Sequence, residues 1–306
     1  MIVVAGEALI DLLVLPDDQV RATPGGGPYN TARTIARLGL DVAFLGRLST
    51  DRFGRRLAGE LRRDGVDLGS VVSTDDLTTL AIAELDPDGG ATYRFHFTET
   101  SAIGLTADEA RTALDRAPAA VHLGTLGLTI EPIASSLAGL ALELPATTLL
   151  MVDANSRPAA IEDPPSYVTR LRRVLGRAAI VKASVEDLAY LIPGTTPFDV
   201  ARHLVATGSG VVLITDGPRP VRVVGIGVDL EVLVPRVAVV DTVGCGDAFG
   251  GAFLARWVER GLGRAALRDR DALREAATLA VEVAAITAGR AGADPPSRDE
   301  VDWPAV

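Results

Sequence analysis

The chain has 306 residues and a formal net charge of −10, with 48% apolar and 23% charged residues. This length allows one large α/β unit or two ordinary domains, and the composition excludes global disorder. No block of clustered Lys and Arg could neutralise a row of phosphates, so we expect no nucleic-acid partner. The lone Cys245 cannot form an intramolecular disulfide, which fits a reducing compartment.

The N-terminal stretch resembles a first strand rather than a targeting segment. It has no basic leader or cleavage pattern, and Glu7 and Asp11 interrupt its apolar residues. No run of about 18 uncharged apolar residues occurs, so we expect no membrane partner. Together these features predict a cytoplasmic location.

Apolar runs alternate with amphipathic helical patterns along most of the chain, which predicts the α/β fold class, a mostly parallel sheet with helices on both faces. The predicted strands are residues 2–6, 42–48, 121–124, 147–155, 179–184 and 210–217. The predicted helices are residues 31–38, 51–64, 106–117, 131–144, 166–178, 199–208, 248–260 and 271–287. A hairpin-like stretch at 220–241 precedes the last two helices.

Residues 80–97 break this rhythm. Two runs that alternate apolar and polar residues flank the turn DPDGG at 86–90, a pattern typical of an antiparallel hairpin. Alternation would place Tyr93, Phe95 and Phe97 on one face and Arg94 and His96 on the other. We expect this hairpin to cover a ligand, with His96 as a candidate contact.

Polar residues follow the apolar strands, where open α/β sheets bind their ligands. Asp11 follows the first predicted strand, and six segments in all are expected to converge on one edge of the sheet. The candidates are Asp11; Gly25, Gly26, Gly27 and Asn30; Asp153, Asn155 and Arg157; Lys182, Ser184 and Glu186; Thr215 and Gly217; and residues 241–247.

The segment AVVDTVGCGDAF gives the strongest single signal. A predicted strand runs into Gly244, Cys245 and Gly246, and a helix begins near Asp247, so free backbone N–H groups and the positive helix end would form an anion site. A simple glycine turn with an Asp cap is the structural alternative. A dinucleotide fingerprint needs Gly or Ala at its sixth position, which is Phe249 here.

The nucleotide loop G-x-x-x-x-G-K-[ST] is absent, because the only lysine is Lys182 and no glycine precedes it. Any ATP site must therefore have another design.

These residues resemble the PfkB carbohydrate kinases, also called the ribokinase family, over essentially the whole chain. Residues 25–39, GGGPYNTARTIARLG, are similar to the first family signature, and residues 241–249 to the second, D-T-x-G-A-G-D-x-F. Between them, VDANSRP resembles the D-P-N-x-R segment. VKASVEDL resembles the strand followed by N-x-x-E, with Ser184 in the Asn place. Cys245 stands where the family usually has Ala.

The resemblance implies a ribokinase-like, doubly wound fold and a catalytic base at Asp247. This carboxylate would take the proton of a sugar hydroxyl as the oxygen attacks the γ-phosphorus of ATP. The N–H groups of Gly244, Cys245 and Gly246 would stabilise charge on the transferring oxygens. Cys245 donates its N–H as Ala would.

The resemblance also implies a sugar site. Asp11 and Asn30 would hydrogen-bond sugar hydroxyls, Gly26 and Gly27 would let the backbone approach the ring, and Arg157 would contact the substrate. As structural alternatives, Asn30 could cap a helix that begins at Thr31, and Asp11 could lie in a surface turn.

The implied nucleotide and cation residues lie further along the chain. The nucleotide residues are Lys182, Ser184, Thr215, Gly217, Gly244 and Gly246. Glu186 would organise Mg²⁺ through water, and Asp241 and Thr242 are the positions for K⁺. Alternatively, Glu186 is a first-turn helix residue favoured by the dipole, and Lys182 only extends its amine toward solvent.

The family organisation implies a single PfkB-type domain over residues 1–306, with a β lid formed by about 9–22 and 78–98. In relatives such a lid covers the sugar and often pairs with another subunit, so a homodimer through the lid is expected. By excluding water, the lid would suppress ATP hydrolysis.

The leading functional hypothesis is an ATP-dependent sugar kinase of the fructokinase-like branch, acting on a ketohexose such as fructose. 2-Keto-3-deoxygluconate kinase and nucleoside kinase are alternatives within the family. A non-catalytic sugar or nucleotide sensor and a dinucleotide oxidoreductase are alternatives of other classes.

Overall fold

The computed structural model describes residues 1–85 and 91–305. The strands are β1 (Ile2–Ala5), β2 (Leu9–Val14), β3 (Val20–Gly25), β4 (Val42–Ser49), β5 (Asp67–Thr74), β6 (Leu80–Leu85), β7 (Ala91–His96), β8 (Ala120–Gly124), β9 (Leu149–Asp153), β10 (Ile180–Ser184), β11 (Val211–Thr215), β12 (Val221–Gly225) and β13 (Val228–Val232). The predicted turn at 86–90 and the side chain of Tyr93 lie outside the part that is described.

The α-helices of the described residues are α1 (Gly27–Arg37), α2 (Arg52–Asp64), α3 (Ala107–Arg111), α4 (Ile133–Glu143), α5 (Pro164–Arg177), α6 (Val185–Leu191), α7 (Pro197–Ala206), α8 (Cys245–Glu259) and α9 (Arg270–Ala288). Short 3₁₀ turns connect several of them. The described helices include none with the length and hydropathy that a bilayer crossing requires.

The larger sheet has the strand order β13-β12-β11-β10-β9-β8-β1-β4-β5. All neighbours from β11 to β5 are parallel, and only β12 and β13 add an antiparallel edge. The chain winds outward from β1 in both directions, so the carboxyl ends of the parallel strands meet at one edge. The predicted α/β class with a mostly parallel sheet is confirmed.

Apolar side chains cover both faces of this sheet and form the two main core clusters. Helices α1, α2, α8 and α9 pack on one face, where Tyr29 and Trp257 are fully buried. Helices α3 to α7 pack on the other face around Tyr167. Because strands buried on both faces are apolar throughout, they appear in the sequence as unbroken apolar runs.

The second sheet, called here the small sheet, has the order β3-β2-β6-β7. Its register places Thr23, Asp11, Ala81 and Phe95 in one row on one face. Asp11 therefore lies inside β2, and the prediction that it follows the first strand is wrong. The chain turns away from the large sheet at Gly6, where φ is 150°, and enters the small sheet at Leu9.

The aromatic alternation of the hairpin holds for the described rings. Phe95 and Phe97 stack with ring centroids 4.8 Å apart. His96 pairs in register with Leu80 and thus with Ile10, on the face opposite Asp11. The expectation that His96 could contact the ligand bound beside Asp11 is therefore wrong.

Residues 236–240 (RVAVV) are not a strand, contrary to the sequence pattern. Their side chains are exposed, including Val239 and Val240. The N–H groups of Val240 and Asp241 donate to the Ala288 carbonyl at the end of α9, at 2.8 and 3.3 Å. The end of α9 therefore holds this backbone in place of a neighbouring strand. The strand was predicted from apolar composition alone, which does not reveal this contact.

Candidate active site

Asp247 lies at the junction of two helix N-termini. It is the third residue of α8, only 9% exposed, and its Oδ2 accepts a hydrogen bond from Asn30 Nδ2 of α1 at 2.8 Å. The hydroxyl of Thr31 donates to the Asp247 carbonyl at 3.5 Å. The two helices therefore bring residues from the two family-like signatures into direct contact.

Helix α1 begins at Gly27, four residues earlier than predicted. Its N-cap is Gly26, with φ 109°, which has no side chain to cap the helix. The Gly27 N–H instead donates to Glu7 Oε1 at 3.1 Å. Glu7 Oε2 accepts from Gly127 N–H at 3.0 Å. Asn30 is thus a residue of the first helical turn, and the alternative that it caps a helix at Thr31 is wrong.

The buried Glu7 carboxyl fixes the position of this glycine turn. It is 1% exposed, and burial raises its pKa to about 8 against the lowering effect of its backbone hydrogen bonds. No motif in the sequence predicted a role for Glu7. Its only signal was a carboxylate inside an apolar run, which folded proteins keep only where its oxygens find donors.

Gly27 faces the carboxylate of Asp247 without a side chain. A Cβ atom at Gly27 would lie 2.4 Å from Thr125 Oγ1 and 3.3 Å from Asp247 Oδ1. Asn155 Nδ2 donates to the same Thr125 oxygen at 3.2 Å. Thr125 directly follows β8 and was missed in the sequence, although the rule that polar residues follow strand ends would have found it.

The turn at 244–246 leaves the start of α8 open. Gly244 has φ 78°, and a Cβ there would lie 2.4 Å from the Ala293 Cβ. Among the described residues, no side chain caps α8. Its N-terminal N–H groups and positive dipole end therefore suit an anion, as expected from the sequence. The predicted strand before the turn is absent, and α8 begins at Cys245 rather than near Asp247.

Cys245 contributes chiefly backbone to this turn. Its N–H donates to the Thr242 carbonyl at 3.3 Å, and its Sγ lies 3.9 Å from the Asp241 carbonyl oxygen. Burial, with the nearby Asp241 and Asp247 charges, raises the pKa of the thiol to about 11. The side chain is half-buried and stays protonated at neutral pH.

A buried ion pair lies under the turn. Lys182 Nζ donates to Asp153 Oδ2 at 2.9 Å, and both residues are buried. A Cβ at Gly246 would lie 2.7 Å from Lys182 Nζ. Lys182 thus points into the protein toward the turn, and the alternative that its amine extends to solvent is wrong.

Burial, followed by the charge of Asp153, raises the pKa of Asp247 to about 7. Lys182, the Asn30 hydrogen bond and Arg157 oppose this rise. A carboxylate whose pKa lies near neutrality can accept a proton more readily than an exposed Asp.

Asp11 lies in β2 of the small sheet, in register with Ala81, which packs with Leu126 after β8. Burial raises the pKa of Asp11 to about 6, and the positive charge of Arg157 opposes the rise. Arg157 is exposed, and its guanidinium donates to Asn155 Oδ1 at 2.6 Å. The charge of Arg157 lowers the pKa of both Asp11 in β2 and Asp247 in α8, so Arg157 lies within electrostatic range of both carboxyls.

The nucleotide candidates lie at the ends of β10 and β11. Ser184 and Thr215 are register partners, and Gly217 follows in an exposed turn with φ 52°. The Ser184 hydroxyl forms a capping box with Asp187 at the start of α6, donating at 2.9 Å and accepting at 3.1 Å. Ser184 therefore already has a structural role.

The cation candidates occupy separate positions. Glu186 is exposed in the first turn of α6. The Asp241 carboxylate accepts from Val243 N–H at 3.0 Å and from Gly292 N–H at 2.9 Å, while Thr242 is exposed. Within residues 1–85 and 91–305, no group of three or more His, Cys, Asp and Glu side chains could hold a metal ion.

A family model for pfkB family carbohydrate kinases matches residues 1–300. Fructokinase-1 of Oryza sativa subsp. japonica is 35% identical over 284 residues, which cover 91% of this chain and 86% of that protein. A fructokinase of Rhizobium leguminosarum bv. trifolii is 34% identical over 263 residues, covering 83% and 79%.

The solved structure of a fructokinase with bound ATP from Xylella fastidiosa superposes with a TM-score of 0.87 at 29% identity, covering 95% of this chain and 93% of that one. Fold, crevice and relatives together define a phosphotransferase with an alcohol acceptor. The chain belongs to the pfkB family of carbohydrate kinases. The predicted family and enzyme class are confirmed, and the dinucleotide oxidoreductase alternative is wrong.

Proposed function

We propose that the protein is an ATP-dependent fructokinase, which transfers the γ-phosphoryl group of ATP to a hydroxyl of a ketohexose such as fructose. The single observation that carries the proposal is the placement of Asp247. Its buried carboxylate adjoins the uncapped start of α8 and is hydrogen-bonded to Asn30. The fructokinase relatives support the choice of sugar.

The sugar would bind between the small sheet and the start of α1. Asp11 and Asn30 supply acceptors and donors for hydroxyls, and Asn30 Oδ1 is buried without a hydrogen-bond partner among the described residues. Gly26 and Gly27 leave room for the ring to approach the backbone. Arg157, which acts on Asp11 and Asp247, would contact the sugar from the large sheet.

Phosphoryl transfer would take place between this sugar and the turn at 244–246. Asp247 takes the proton of the attacking hydroxyl, while N–H groups of Gly244, Cys245 and Gly246 stabilise charge on the transferring oxygens. Because the Cys245 N–H is already shared with Thr242, the Gly244 and Gly246 groups carry more of this role.

ATP would reach the turn from the ends of β10 and β11. Thr215 and Gly217 would contact the nucleotide there with Lys182 and Ser184, which already have protein partners in Asp153 and Asp187. A Mg²⁺ ion bound with ATP would supply positive charge to the phosphate oxygens. Exposed Glu186 could hold it through water.

Asp241 and Thr242 lie just before the anion turn and are our proposed positions for K⁺. The two Asp241 oxygens each keep lone pairs beyond their hydrogen bonds to Val243 and Gly292. This arrangement ties two loops together beside the turn, so a bound monovalent cation would stabilise the turn.

We also propose that residues 1–306 form one PfkB-type domain in which the small sheet acts as a lid over the sugar. Strands β2 and β6 fall within the expected ranges 9–22 and 78–98, and the packing of Leu9 and Ala81 against Leu126 supports a small sheet that would cover the sugar. A homodimer through this lid and a cytoplasmic location remain proposals, the latter supported by the free Cys245.

A sugar panel tests the function. ADP release would be measured with ATP and fructose, other hexoses, 2-keto-3-deoxygluconate and nucleosides, with and without Mg²⁺ and K⁺. The proposal predicts that fructose has the highest kcat/KM. Preference for the keto-acid or a nucleoside would move the protein to another branch of the family. Sugar and ATP binding without turnover on any acceptor would favour the non-catalytic sensor.

A further inference from the structure

The Asp153–Lys182 ion pair is almost completely buried, whereas most ion pairs in proteins lie at the surface. The side chains are 2% and 6% exposed, and Nζ lies 2.9 Å from Asp153 Oδ2. Taking two charges out of water costs several kcal/mol per ion, and such pairs rarely stabilise a fold more than apolar residues would. This location therefore calls for a role other than fold stability.

The pair contacts the catalytic turn without facing solvent. A Cβ atom at Gly246, the residue before Asp247, would lie 2.7 Å from Lys182 Nζ. Asp153 Oδ1 is buried without a hydrogen-bond partner in the described part of the chain. Burial raises the pKa of Asp153, and the charge and hydrogen bond of Lys182 oppose that rise by favouring the ionised carboxylate. Once ionised, Asp153 acts strongly on neighbouring charges because its surroundings are poorly polarisable.

We propose that Asp153 and Lys182 are positioning residues that set the basicity of Asp247, Asp153 increasing it and Lys182 limiting the increase. The inference rests on the proposed role of Asp247 as the base. Without Asp153, the ammonium of Lys182 would favour the ionised form of Asp247 and make this carboxylate a weaker base. Without Lys182, Asp247 would stay protonated at neutral pH and could not accept the sugar proton.

The electrostatics around Asp247 agree with this division. Burial and then Asp153 raise the pKa of Asp247, whereas Lys182 lowers it. Burial alone would lower the pKa of Lys182, but Asp153 beside it keeps that pKa above its ordinary value. The ammonium is therefore charged throughout the working range.

Other titratable groups also face Asp247. They are Arg157, Glu7 and Cys245, from the loops after β9 and β1 and from the start of α8. The Arg157 guanidinium stays charged, and the Cys245 thiol stays protonated at neutral pH. Burial keeps Glu7 largely protonated up to about pH 8. Substitutions at Asp153 and Lys182 therefore isolate the effect of the ion pair below that pH.

The test is a carbon-13 NMR titration of the Asp247 carboxyl in the full-length protein, with the resonance assigned by its loss in Asp247→Asn. We expect Asp153→Asn to lower the titration midpoint by about one pH unit and the nearly isosteric Lys182→Met to raise it by a similar amount. Lys182→Arg, which keeps the charge, is the matched control and should stay near the parent value.

Opposite shifts in the two variants would support the proposal, because general loosening of the structure moves both midpoints in the same direction. Unchanged midpoints, or shifts of one sign, would overturn it. If Asp153→Asn leaves Lys182 unpaired and fails to fold, the Asp153→Asn/Lys182→Met double variant replaces it. Its midpoint should fall below that of Lys182→Met, and equality would contradict the role of Asp153.

Kinetics separate this inference from the proposed function. The acidic limb of kcat/KM against pH should move with the NMR midpoint in each variant. If the two variants shift the midpoint in opposite directions but the parent protein phosphorylates no sugar, the electrostatic role of the pair is supported and the proposed kinase function is contradicted. If the parent phosphorylates a sugar but the acidic limb of kcat/KM is the same in both variants, the kinase function is supported and the role of the ion pair is contradicted.

Discussion

Asn30 Nδ2 donates to Asp247 Oδ2 at 2.8 Å and joins α1 to α8 across 217 residues of sequence. The amide orients the carboxylate and leaves its own Oδ1 buried and without a partner among the described residues. One side chain thus holds the proposed base and, on the proposed function, would present an acceptor to a sugar hydroxyl. The first turn of α1 and the first turn of α8 therefore act as one unit.

Removal of this amide should damage both tasks. In Asn30→Ala, we expect kcat to fall by roughly 10- to 100-fold, because misplacement of a reacting group by about 1 Å costs on that order. The KM for sugar should rise, while the KM for ATP should stay nearly constant. Steady-state kinetics with each substrate varied in turn make the check. An equal rise in both KM values would contradict the assignment of Asn30 to the sugar side.

Gly27 should not accept even a methyl group. In Gly27→Ala the Cβ would meet Thr125 Oγ1 at 2.4 Å and approach Asp247 Oδ1, so we expect kcat/KM for sugar to fall by about 100-fold or more. Gly59→Ala in α2 is the matched control, because its Cβ would meet nothing within 4 Å. That control should keep full activity and gain about 0.5–1 kcal/mol of stability. Full activity in Gly27→Ala would show that sugar binds elsewhere.

Glu7 should make the fold less stable as the pH rises from 6.5 to 8. The folded protein holds the Glu7 proton up to about pH 8, whereas the unfolded chain releases it near 4.5. Rising pH therefore stabilises the unfolded state relative to the folded state over this range, and the unfolding free energy should fall by about 2 kcal/mol. His122, whose pKa burial lowers to about 3, acts in the opposite direction only below about pH 6.5.

Urea unfolding of the parent and Glu7→Gln at both pH values measures this effect. The variant should lose about 1–3 kcal/mol at pH 6.5, because one of the two backbone N–H groups loses its acceptor. Its dependence on pH should be flatter than that of the parent. A parent protein that gains stability between pH 6.5 and 8 would show that Glu7 is ionised in the fold.

The sequence predicted the large sheet well because strands buried on both faces carry an unambiguous apolar signal. It was less reliable where tertiary contacts decide the backbone. Residues 236–240 look like a strand, yet the N–H groups of Val240 and the following Asp241 bind the end of α9. Asp11 lies inside β2, because the chain changes sheets after Gly6, and no local pattern marks such a change.

The site shows the same division. Asp247, Asn30 and the glycines could be named from motifs. Glu7 could not be assigned a role, since its importance lies in hydrogen bonds to glycines distant in the chain. Thr125 could have been found as a polar residue after a strand, but its closeness to Gly27 needed the structure. The Asp153–Lys182 pair was visible only as two polar strand ends, and their contact needed the parallel register of β9 and β10.

Cys245 should be replaceable. In Cys245→Ala the backbone N–H and its 3.3 Å hydrogen bond to Thr242 are kept, and the side chain loses only a long sulfur contact to Asp241. We therefore expect activity within about tenfold of the parent under saturating ATP. A larger loss in kcat, with the fold intact by circular dichroism, would mean that the thiol itself takes part in the reaction.

The central claim is that the Asp247 carboxylate takes the proton of a sugar hydroxyl during phosphoryl transfer. The most direct measurement compares the parent with Asp247→Asn for fructose phosphorylation and for binding of fructose and ATP by calorimetry. We predict that kcat falls by about 10²- to 10⁴-fold while both ligands still bind. Turnover by Asp247→Asn within tenfold of an active parent would contradict the account.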